Sequence, residues 1–359
     1  MKKLRVDIPD TVFKKLEKRK REDKFGRKPW ADWLRHITKN VTLVEGFDEA
    51  ITKGTRDALA KLWMENFVMN LKFIVDLDTY PDGKDANSLG LLPKSEGEPA
   101  LIIAAGPSIR EHDHVKMLAE KGFKGKIFAC DRMLVPLLEA GVIPDYVACV
   151  DGNRELIVKF YENPLVDQHA SKITGLFAST AAPNAAKRFL DAGGKINWYH
   201  GMLDNFWELD SVTSFMNHMT GSTAISCGGN VGASCWTLSV YLRCNPVIFT
   251  GFDLGYTKEV PFEETAYYKV LSDAGVDLKQ MRLLFSSGVN PDFGNVYYQD
   301  IVFRHYREAI LSMIATAKAD PLSKHVETIN ATEGGAVHSS LIKAMKFSKV
   351  LEKYGSDAR

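Results

Sequence analysis

Polar side chains follow several apolar runs in this sequence, at the points where those runs stop. Ser108 comes after the run Ala100–Ala105 and a Gly-Pro pair, Asp131 ends a second run, and Asp151 ends a third. If the runs are parallel strands, these side chains lie at one edge of a sheet and meet in one crevice. Carboxylates gathered there could bind a ribose, hold a divalent metal beside phosphates or act as a general base. Each Asp taken alone could equally cap the following helix.

Ser108 and Glu111 have the Ser-x-x-Glu spacing of a capping box, which predicts that a helix begins at Ser108. A helix N-terminus after a parallel strand offers free N–H groups, and phosphates bind there in open α/β sheets. Gly106, Pro107 and Ser108 are therefore candidates for nucleotide binding, and a capped helix without a ligand is the alternative. The stretch has too few glycines for a P-loop or a dinucleotide fingerprint, which argues against ATP bound in a P-loop.

A glycine-rich turn, Gly228-Gly229-Asn230, enters a second helix of small residues. Such a turn lets the backbone approach a ligand closely, or lets the helix pack tightly on the sheet. Tight packing explains the small residues from Gly232 onward. It explains Gly228-Gly229-Asn230 less well. The turn is therefore predicted to bind substrate.

Candidate bases and acids follow other predicted strands. His200 directly follows the strand predicted over Lys195–Tyr199, although a lone histidine can equally be structural. Asp253 follows the strand predicted up to Thr250 and adds a further acid at a strand end. Thr332 and Glu333 lie in a polar stretch that ends in two glycines, again after a short strand.

Strand-like and helix-like stretches alternate over roughly 150 residues, which predicts βαβ units. We therefore expect an α/β fold, a Rossmann-like, doubly wound and mostly parallel sheet. Apolar residues at helical spacing predict a long helix between residues 48 and 76, and a loop rich in Pro, Gly, Asp and Ser follows it. The predicted organisation is a basic module at 1–45, a helical lead-in and linker at 46–96, and a catalytic domain at 97–355.

The first 40 residues are a separate electrostatic unit, with 14 Lys and Arg residues against six Asp and Glu. Their strand-helix-turn-helix pattern resembles a ribbon-helix-helix module, which would form a homodimer through residues 1–45 and bind DNA. A solvated basic cap or oligomerisation arm is the alternative, and it is favoured over DNA binding.

The composition is that of an ordinary globular protein, with 359 residues, 45% hydrophobic and 25% charged. No apolar run reaches the ~20 residues of a membrane span and the N-terminus lacks a signal-peptide core, so we expect a cytoplasmic protein without membrane contact. The five cysteines include no Cys-x-x-Cys pair and are odd in number, which favours buried thiols over a zinc site or a disulfide framework.

Five motifs, taken in order, resemble those of the motility accessory factor (Maf) family, whose core is shared with the archaeal 6-hydroxymethylpterin diphosphokinases of the MptE-like group. They span roughly residues 60–350, and together they are more specific than any one alone. The first also resembles the nucleotide site of bacterial sialyltransferases. The motifs are Ala105-Gly106-Pro107-Ser108, Ile143-Pro144-Asp145-Tyr146 with Asp151, Gly228-Gly229-Asn230-Val231-Gly232, Gly251-Phe252-Asp253-Leu254 and Asn330-Ala331-Thr332-Glu333-Gly334-Gly335.

The Maf resemblance implies a glycosyltransferase that moves a nonulosonic, sialic-like acid from a CMP-sugar to a protein hydroxyl, as on flagellin. The Ser108 helix would hold the CMP phosphate, and Asp131, Asp151 and Asn153 would lie near the ribose and base. Asp145 would belong to the binding site as part of its motif. Asn230, Thr332 and Glu333 would face the sugar, and His200 or Asp253 would take the acceptor proton.

The MptE-like resemblance implies transfer of diphosphate from ATP to a small pterin, with Mg²⁺ held by Asp131, Asp151 or Asp253. No other cofactor is expected. This chain is smaller than the usual accessory factor and carries the basic N-terminal module, which puts flagellin as acceptor in question. A third hypothesis is a nucleotide-binding protein with a DNA-binding N-terminal arm.

Overall fold

The computed structural model describes residues 59–75, 88–208, 211–265 and 284–356, with isolated positions between 267 and 282. The chain divides into two units, Met1–Ala58 and Leu59–Arg359. The first unit, and with it the predicted basic module at 1–45, lies outside the described residues.

Twelve strands and eleven helices organise the described part of the chain. The strands are β1 (Ala100–Ile103), β2 (Lys126–Cys130), β3 (Tyr146–Cys149), β4 (Thr174–Ala178), β5 (Lys195–Gly201), β6 (Ala224–Ile225), β7 (Val247–Thr250), β8 (Tyr256–Thr257), β9 (Ser286–Val289), β10 (Val296–Gln299), β11 (Thr328–Asn330) and β12 (Ile342–Ala344). The helices are α1 (59–74), α2 (Ser108–Glu111), α3 (His114–Lys121), α4 (Leu134–Glu139), α5 (Arg154–Ile157), α6 (Pro164–His169), α7 (Pro183–Asp191), α8 (Val212–Thr220), α9 (Val231–Tyr241), α10 (Ile301–Ala319) and α11 (Phe347–Tyr354).

Nine of these strands form one parallel sheet, in the order β12-β11-β7-β1-β2-β3-β4-β5-β6. The remaining three, β8, β10 and β9, form a small antiparallel sheet. The predicted α/β fold with a doubly wound, mostly parallel sheet is confirmed.

The central strand β1 is buried on both faces, as its unbroken apolar run predicts. Leu101 and Ile103 pack in the apolar layer that contains residues of α3 and α11, while Ala100 and Ile102 pack in the layer that contains residues of α9 and α10. Because side chains alternate along a strand, one short run supplies both layers. The sheet is thus covered by helices on both faces.

The order of the strands reverses at β1. From β1 the chain moves outward through β2 to β6, and then crosses back to place β7 on the other side of β1. The loops after β1 and β7 therefore leave in opposite directions and open a crevice between them. In open α/β sheets, ligands bind at this point.

Helix α2 begins at Ser108 as predicted, but the capping box does not form. Pro107 occupies the N-cap position, and no side chain caps the helix. The hydroxyl of Ser108 makes a different contact, which is described below.

Two further expectations can be compared with the described residues. None of the described helices is long and apolar enough to cross a bilayer. All five cysteines carry free thiols, and all but Cys227 are buried.

Candidate active site between the ends of β1 and β7

A cavity of about 440 Å³ lies at the reversal point of the sheet. We call it the crevice, and it is lined by residues 104–107 after β1, 130–132 after β2, 230–232 at the start of α9 and 251–256 after β7, with Val260 and Phe303. The Gly106 amide donates to the Gly251 carbonyl over 2.8 Å, so the loops after β1 and β7 are joined directly. The segments after β1, β2 and β7 and the start of α9 therefore meet in one cavity, whereas the segment after β3, with Asp151, was predicted to join them and does not line it.

The central feature of the crevice is a contact between Ser108 and Asp253. Both residues are buried, and the Ser108 hydroxyl donates to Asp253 Oδ2 over 2.8 Å. The pKa of Asp253 is raised to about 7, mainly by burial and also by the nearby Glu111 carboxylate, while bonds from the Ser108 hydroxyl and amide oppose the shift. Asp253 can therefore exchange a proton near neutral pH.

Gly106 allows Asp253 to lie this close to the first loop. A Cβ at Gly106 would overlap Asp253 Oδ2 and would lie 2.5 Å from the Gly251 carbonyl oxygen. The glycine predicted to contact a nucleotide is thus required by the packing of the two loops against each other.

Asp131 lines the same crevice, directly after β2, and is 5% exposed. Its Oδ1 accepts from the Arg132 amide, whereas its Oδ2 has no hydrogen-bond partner among the described residues, with the Cys149 thiol alongside. The pKa of Asp131 is raised to about 6, mainly by burial and also by the Asp151 carboxylate, while the bond from the Arg132 amide opposes the shift. A buried carboxyl oxygen without a partner can accept from a ligand hydroxyl.

Asp151 and Asn153 lie further out, exposed to solvent after β3. Asn153 caps α5 by accepting from the Glu155 and Leu156 amides, and Asp151 accepts from the Asn153 amide over 2.8 Å. Asn153 is thus the cap of α5, while Asp151 holds the turn before it and does not cap the helix itself. Asp151 remains near enough to Asp131 to raise its pKa.

The glycines of the turn before α9 have a packing role. Gly228 and Gly229 have positive φ angles of 55° and 76°. A Cβ at Gly228 would lie 2.9 Å from Met313 Sδ, and one at Gly229 would lie 2.6 Å from Tyr306 Cε1, both on α10. Neither glycine lines the crevice. Of the predicted substrate-binding turn only Asn230 does, and its side chain caps α9.

Thr332 and Glu333 support the loops around the crevice and do not line it. Thr332 is fully buried, and its hydroxyl accepts from the Phe252 amide over 3.2 Å. Glu333 accepts from the Phe347 amide at the start of α11 over 2.9 Å and lies 3.5 Å from His114 Nε2. The predicted roles for Thr332 at the sugar and for Glu333 in catalysis are corrected to positioning roles.

His200 is a buried structural residue. Its Nδ1 lies 2.7 Å from the Ser179 hydroxyl and its Nε2 lies 2.8 Å from the Thr220 hydroxyl, so both ring nitrogens are engaged. Burial lowers its pKa to about 4. It belongs to β5, four strands from β1, which is roughly 19 Å across the sheet. The structural alternative therefore applies, and His200 cannot take a proton in the crevice.

Asp145 lies at the opposite edge of the sheet. It precedes β3, where its carboxylate accepts from the Ile127 amide over 2.9 Å and lies 3.8 Å from Lys126 Nζ. Because all strands of the sheet are parallel, the beginning of β3 faces away from the crevice. Asp145 joins β2 to β3 and is not part of this site.

Arg132, Tyr256 and Phe303 are among the residues of the crevice that were not predicted from the sequence. Arg132 is the only Lys or Arg among the described residues that line it. Tyr256 and Phe303 form an aromatic wall with ring centres 5.1 Å apart, and Tyr256 donates to Asp300, the N-cap of α10, over 2.6 Å. The sequence feature that could have indicated Arg132 is its position directly after Asp131, the acid that follows β2. No sequence feature indicated Tyr256 and Phe303.

Mg²⁺ is the cofactor that the family resemblance implies. Within the described ranges no group of three or more His, Cys, Asp or Glu side chains is placed to hold a metal ion. Mg²⁺ is usually held by one or two carboxylates together with substrate phosphates. Asp131, whose Oδ2 has no hydrogen-bond partner among the described residues, fits the role of a single carboxylate ligand beside the phosphates.

Comparisons with known proteins place the chain in a family. Residues 65–259, which contain β1 to β8 and most of the crevice, match the family model described as 6-hydroxymethylpterin diphosphokinase MptE-like. The chain belongs to this family. The MptE-like resemblance predicted from the motifs is thereby confirmed.

One solved structure is similar in fold to this MptE-like chain. A Maf glycosyltransferase from Magnetospirillum magneticum AMB-1 shares 16% sequence identity with it, with a TM-score of 0.50, over 72% of this chain and 35% of that one. The chain thus corresponds to about a third of the length of that protein, and the similarity is one of fold. No curated protein sequence matches the chain.

Proposed function

We propose that this chain is a nucleotide-dependent transferase that moves a group from an activated donor to a hydroxyl acceptor in the crevice. The Ser108–Asp253 pair carries the proposal. Its carboxyl has a pKa of about 7, so at neutral pH a substantial fraction is ionised and can accept the proton of an attacking hydroxyl. Asp131, whose Oδ2 has no partner among the described residues, would accept from the ribose of the donor.

The specific reaction that we propose is transfer of a nonulosonic acid from a CMP-sugar to a protein hydroxyl. The acceptor oxygen forms a bond to the anomeric carbon, and the bond from that carbon to the phosphate oxygen breaks. CMP leaves with the bonding electrons, and Asp253 takes the acceptor proton. In support, the fold similarity to the Maf glycosyltransferase covers more of the chain than residues 65–259.

The family description favours a second candidate, transfer of diphosphate from ATP to a hydroxymethyl-dihydropterin. In that reaction the pterin hydroxyl would attack the β-phosphorus, AMP would leave, and Asp253 would again take the proton. Mg²⁺ would neutralise charge on the phosphates, with Asp131 as its protein ligand. Proton removal by Asp253 is common to both candidates, whereas the metal requirement separates them.

Two assays on the purified chain test the proposal. One measures CMP release from a CMP-nonulosonate with a hydroxyl acceptor, and the other measures AMP formation from ATP, Mg²⁺ and hydroxymethyl-dihydropterin. For the correct donor, Asp253→Asn should lower kcat by at least about 100-fold while donor affinity changes little. Asp145→Asn, at the far edge of the sheet, is the matched control. If neither donor is turned over or bound, the transferase proposal is refuted.

A further inference from the structure

The N-terminus of α2, where the sequence predicts a phosphate, is already occupied by a carboxyl of this chain. Asp253 accepts from the Ser108 hydroxyl over 2.8 Å and from the Ser108 backbone amide as well. A phosphate placed there would lie against this carboxyl and would compete for the same donors. Helix α2 also has only four residues, so its dipole is weak. The donor phosphate must therefore be held elsewhere in the crevice.

Helix α9 offers unused donors in the same cavity. Its N-cap, Asn230, accepts from the Ala233 amide over 2.9 Å. The amides of Val231 and Gly232, both lining the crevice, have no partner among the described residues. Two free amides at the start of an eleven-residue helix carry partial positive charge and favour an anion.

Arg132 supplies the charge that these amides lack. It lines the crevice with them, its guanidinium lies 5.6 Å from the centre of the Phe160 ring, and its charge also lowers the pKa of the neighbouring Asp131. Guanidinium groups bind phosphate through two parallel hydrogen bonds.

Asp131 provides an independent sign that this part of the crevice takes a ligand. It is 95% buried, lines the cavity and keeps Oδ2 without a partner among the described residues, directly before Arg132 in the chain. A carboxyl oxygen needs a donor, and a ribose hydroxyl is one. A hydroxyl acceptor adjacent to an anion site matches the sugar phosphate of a nucleotide.

We propose that the donor's phosphate binds between the first-turn amides of α9, at Val231 and Gly232, and the guanidinium of Arg132, with the adjoining ribose on Asp131. The inference rests on the proposed function and deepens it. It leaves the Ser108–Asp253 pair free to act on the acceptor proton, because the leaving phosphate is held by a different helix.

Val231→Pro tests the amide directly. Proline removes the N–H and is well tolerated at the first position of a helix, where that N–H has no intrahelical partner. Asn230 before it has φ −152° and ψ 161°, the extended conformation that a residue before proline requires. We expect affinity for CMP, measured by calorimetry, to fall about 10- to 100-fold, while that for cytidine is unchanged. Val231→Ala, which loses most of the valine side chain but keeps the amide, is the control.

Arg132→Gln tests the guanidinium. The substitution should lower the affinity for CMP by a similar factor and leave the affinity for cytidine unchanged. Arg110→Gln is the matched control, because Arg110 lies on α2 and does not line the crevice. A uniform loss in both variants would indicate only long-range attraction and would overturn the assignment of Arg132.

The same series is repeated with ATP against adenosine and with pyrophosphate alone. If the wild-type chain binds pyrophosphate and the Val231→Pro and Arg132→Gln variants do not, the anion site is supported even where no transfer is detected. Nucleotides that bind both variants as tightly as the wild type overturn the site and leave the transferase proposal standing. If neither nucleotides nor pyrophosphate bind, both proposals fail.

Discussion

Replacing Asp253 by Asn should stabilise the fold increasingly as the pH rises. In the folded chain burial raises the pKa of Asp253 from 3.8 to about 7. Between these values the folded state holds a proton that the unfolded state has lost, so the contribution of Asp253 to stability falls with increasing pH. A shift of about three units corresponds to about 4 kcal/mol. Asn cannot ionise, and its Oδ1 can still accept from Ser108.

The measurement is the free energy of unfolding by urea, followed by tryptophan fluorescence from pH 4 to pH 8.5. The relevant quantity is the difference between Asp253→Asn and wild type, which should increase up to about pH 7 and then level off. His114 and His200 have pKa values lowered to about 4 by burial, so they add stability that is lost as the pH falls below 6.5. Since both chains contain them, they cancel in the difference.

Asp131→Asn is the matched comparison for this experiment. The pKa of Asp131 is raised to about 6, so its difference curve should level off about one pH unit earlier, at about 3 kcal/mol. A difference for Asp253→Asn that is flat from pH 4 to pH 8.5 would mean that Asp253 ionises normally. The argument that it exchanges a proton near neutrality would then be refuted.

Three other substitutions give distinct expected results. Gly106→Ala should lower the melting temperature and abolish nucleotide binding because its Cβ would overlap Asp253, whereas Gly90→Ala, whose Cβ would make ordinary contacts with the Ser88 and Tyr241 hydroxyls at 3.5 and 3.8 Å, should be tolerated in the same thermal-shift assay. His200→Gln should cost about 1–3 kcal/mol in urea unfolding, since buried hydroxyls lose their partner, with nucleotide affinity unchanged; lost affinity would contradict its structural role. Asn66→Ala should expose α1 to proteolysis, because the Asn66 amide donates to two carbonyls after β3 and β4; cleavage at the wild-type rate would argue against this contact.

Much of the fold could be predicted from local patterns. The apolar run before Gly106 and the runs before Asp131 and Asp151 each mark a strand, because burial on both faces demands apolar side chains at every position. The start of α2 at Ser108 was also predicted, although its cap was not. Such features depend on neighbours within a few residues.

The candidate site could be predicted only in part. Asp131 and Asp253 were expected at the carboxyl edge because each follows a strand, and this inference needs only a parallel sheet. Asp145 was misassigned because it was included with its family motif, although a residue directly before a strand of a parallel sheet lies at the edge opposite the crevice. His200 was misassigned because the burial of its ring depends on Ser179 and Thr220, which only the packing brings together.

The sequence by itself determined which segments become strands and helices, the family to which the chain belongs and the acids that end its strands. The tertiary structure alone decided what those acids do. The order of strands places β7 beside β1 and so sets Asp253 against Ser108, 145 residues away in the chain. That contact fills the N-terminus of α2, and the burial of Asp253 in the packed loops raises the pKa of its carboxyl. The reason is physical, since burial and proximity are properties of the packed sheet and carry no local signal in the chain.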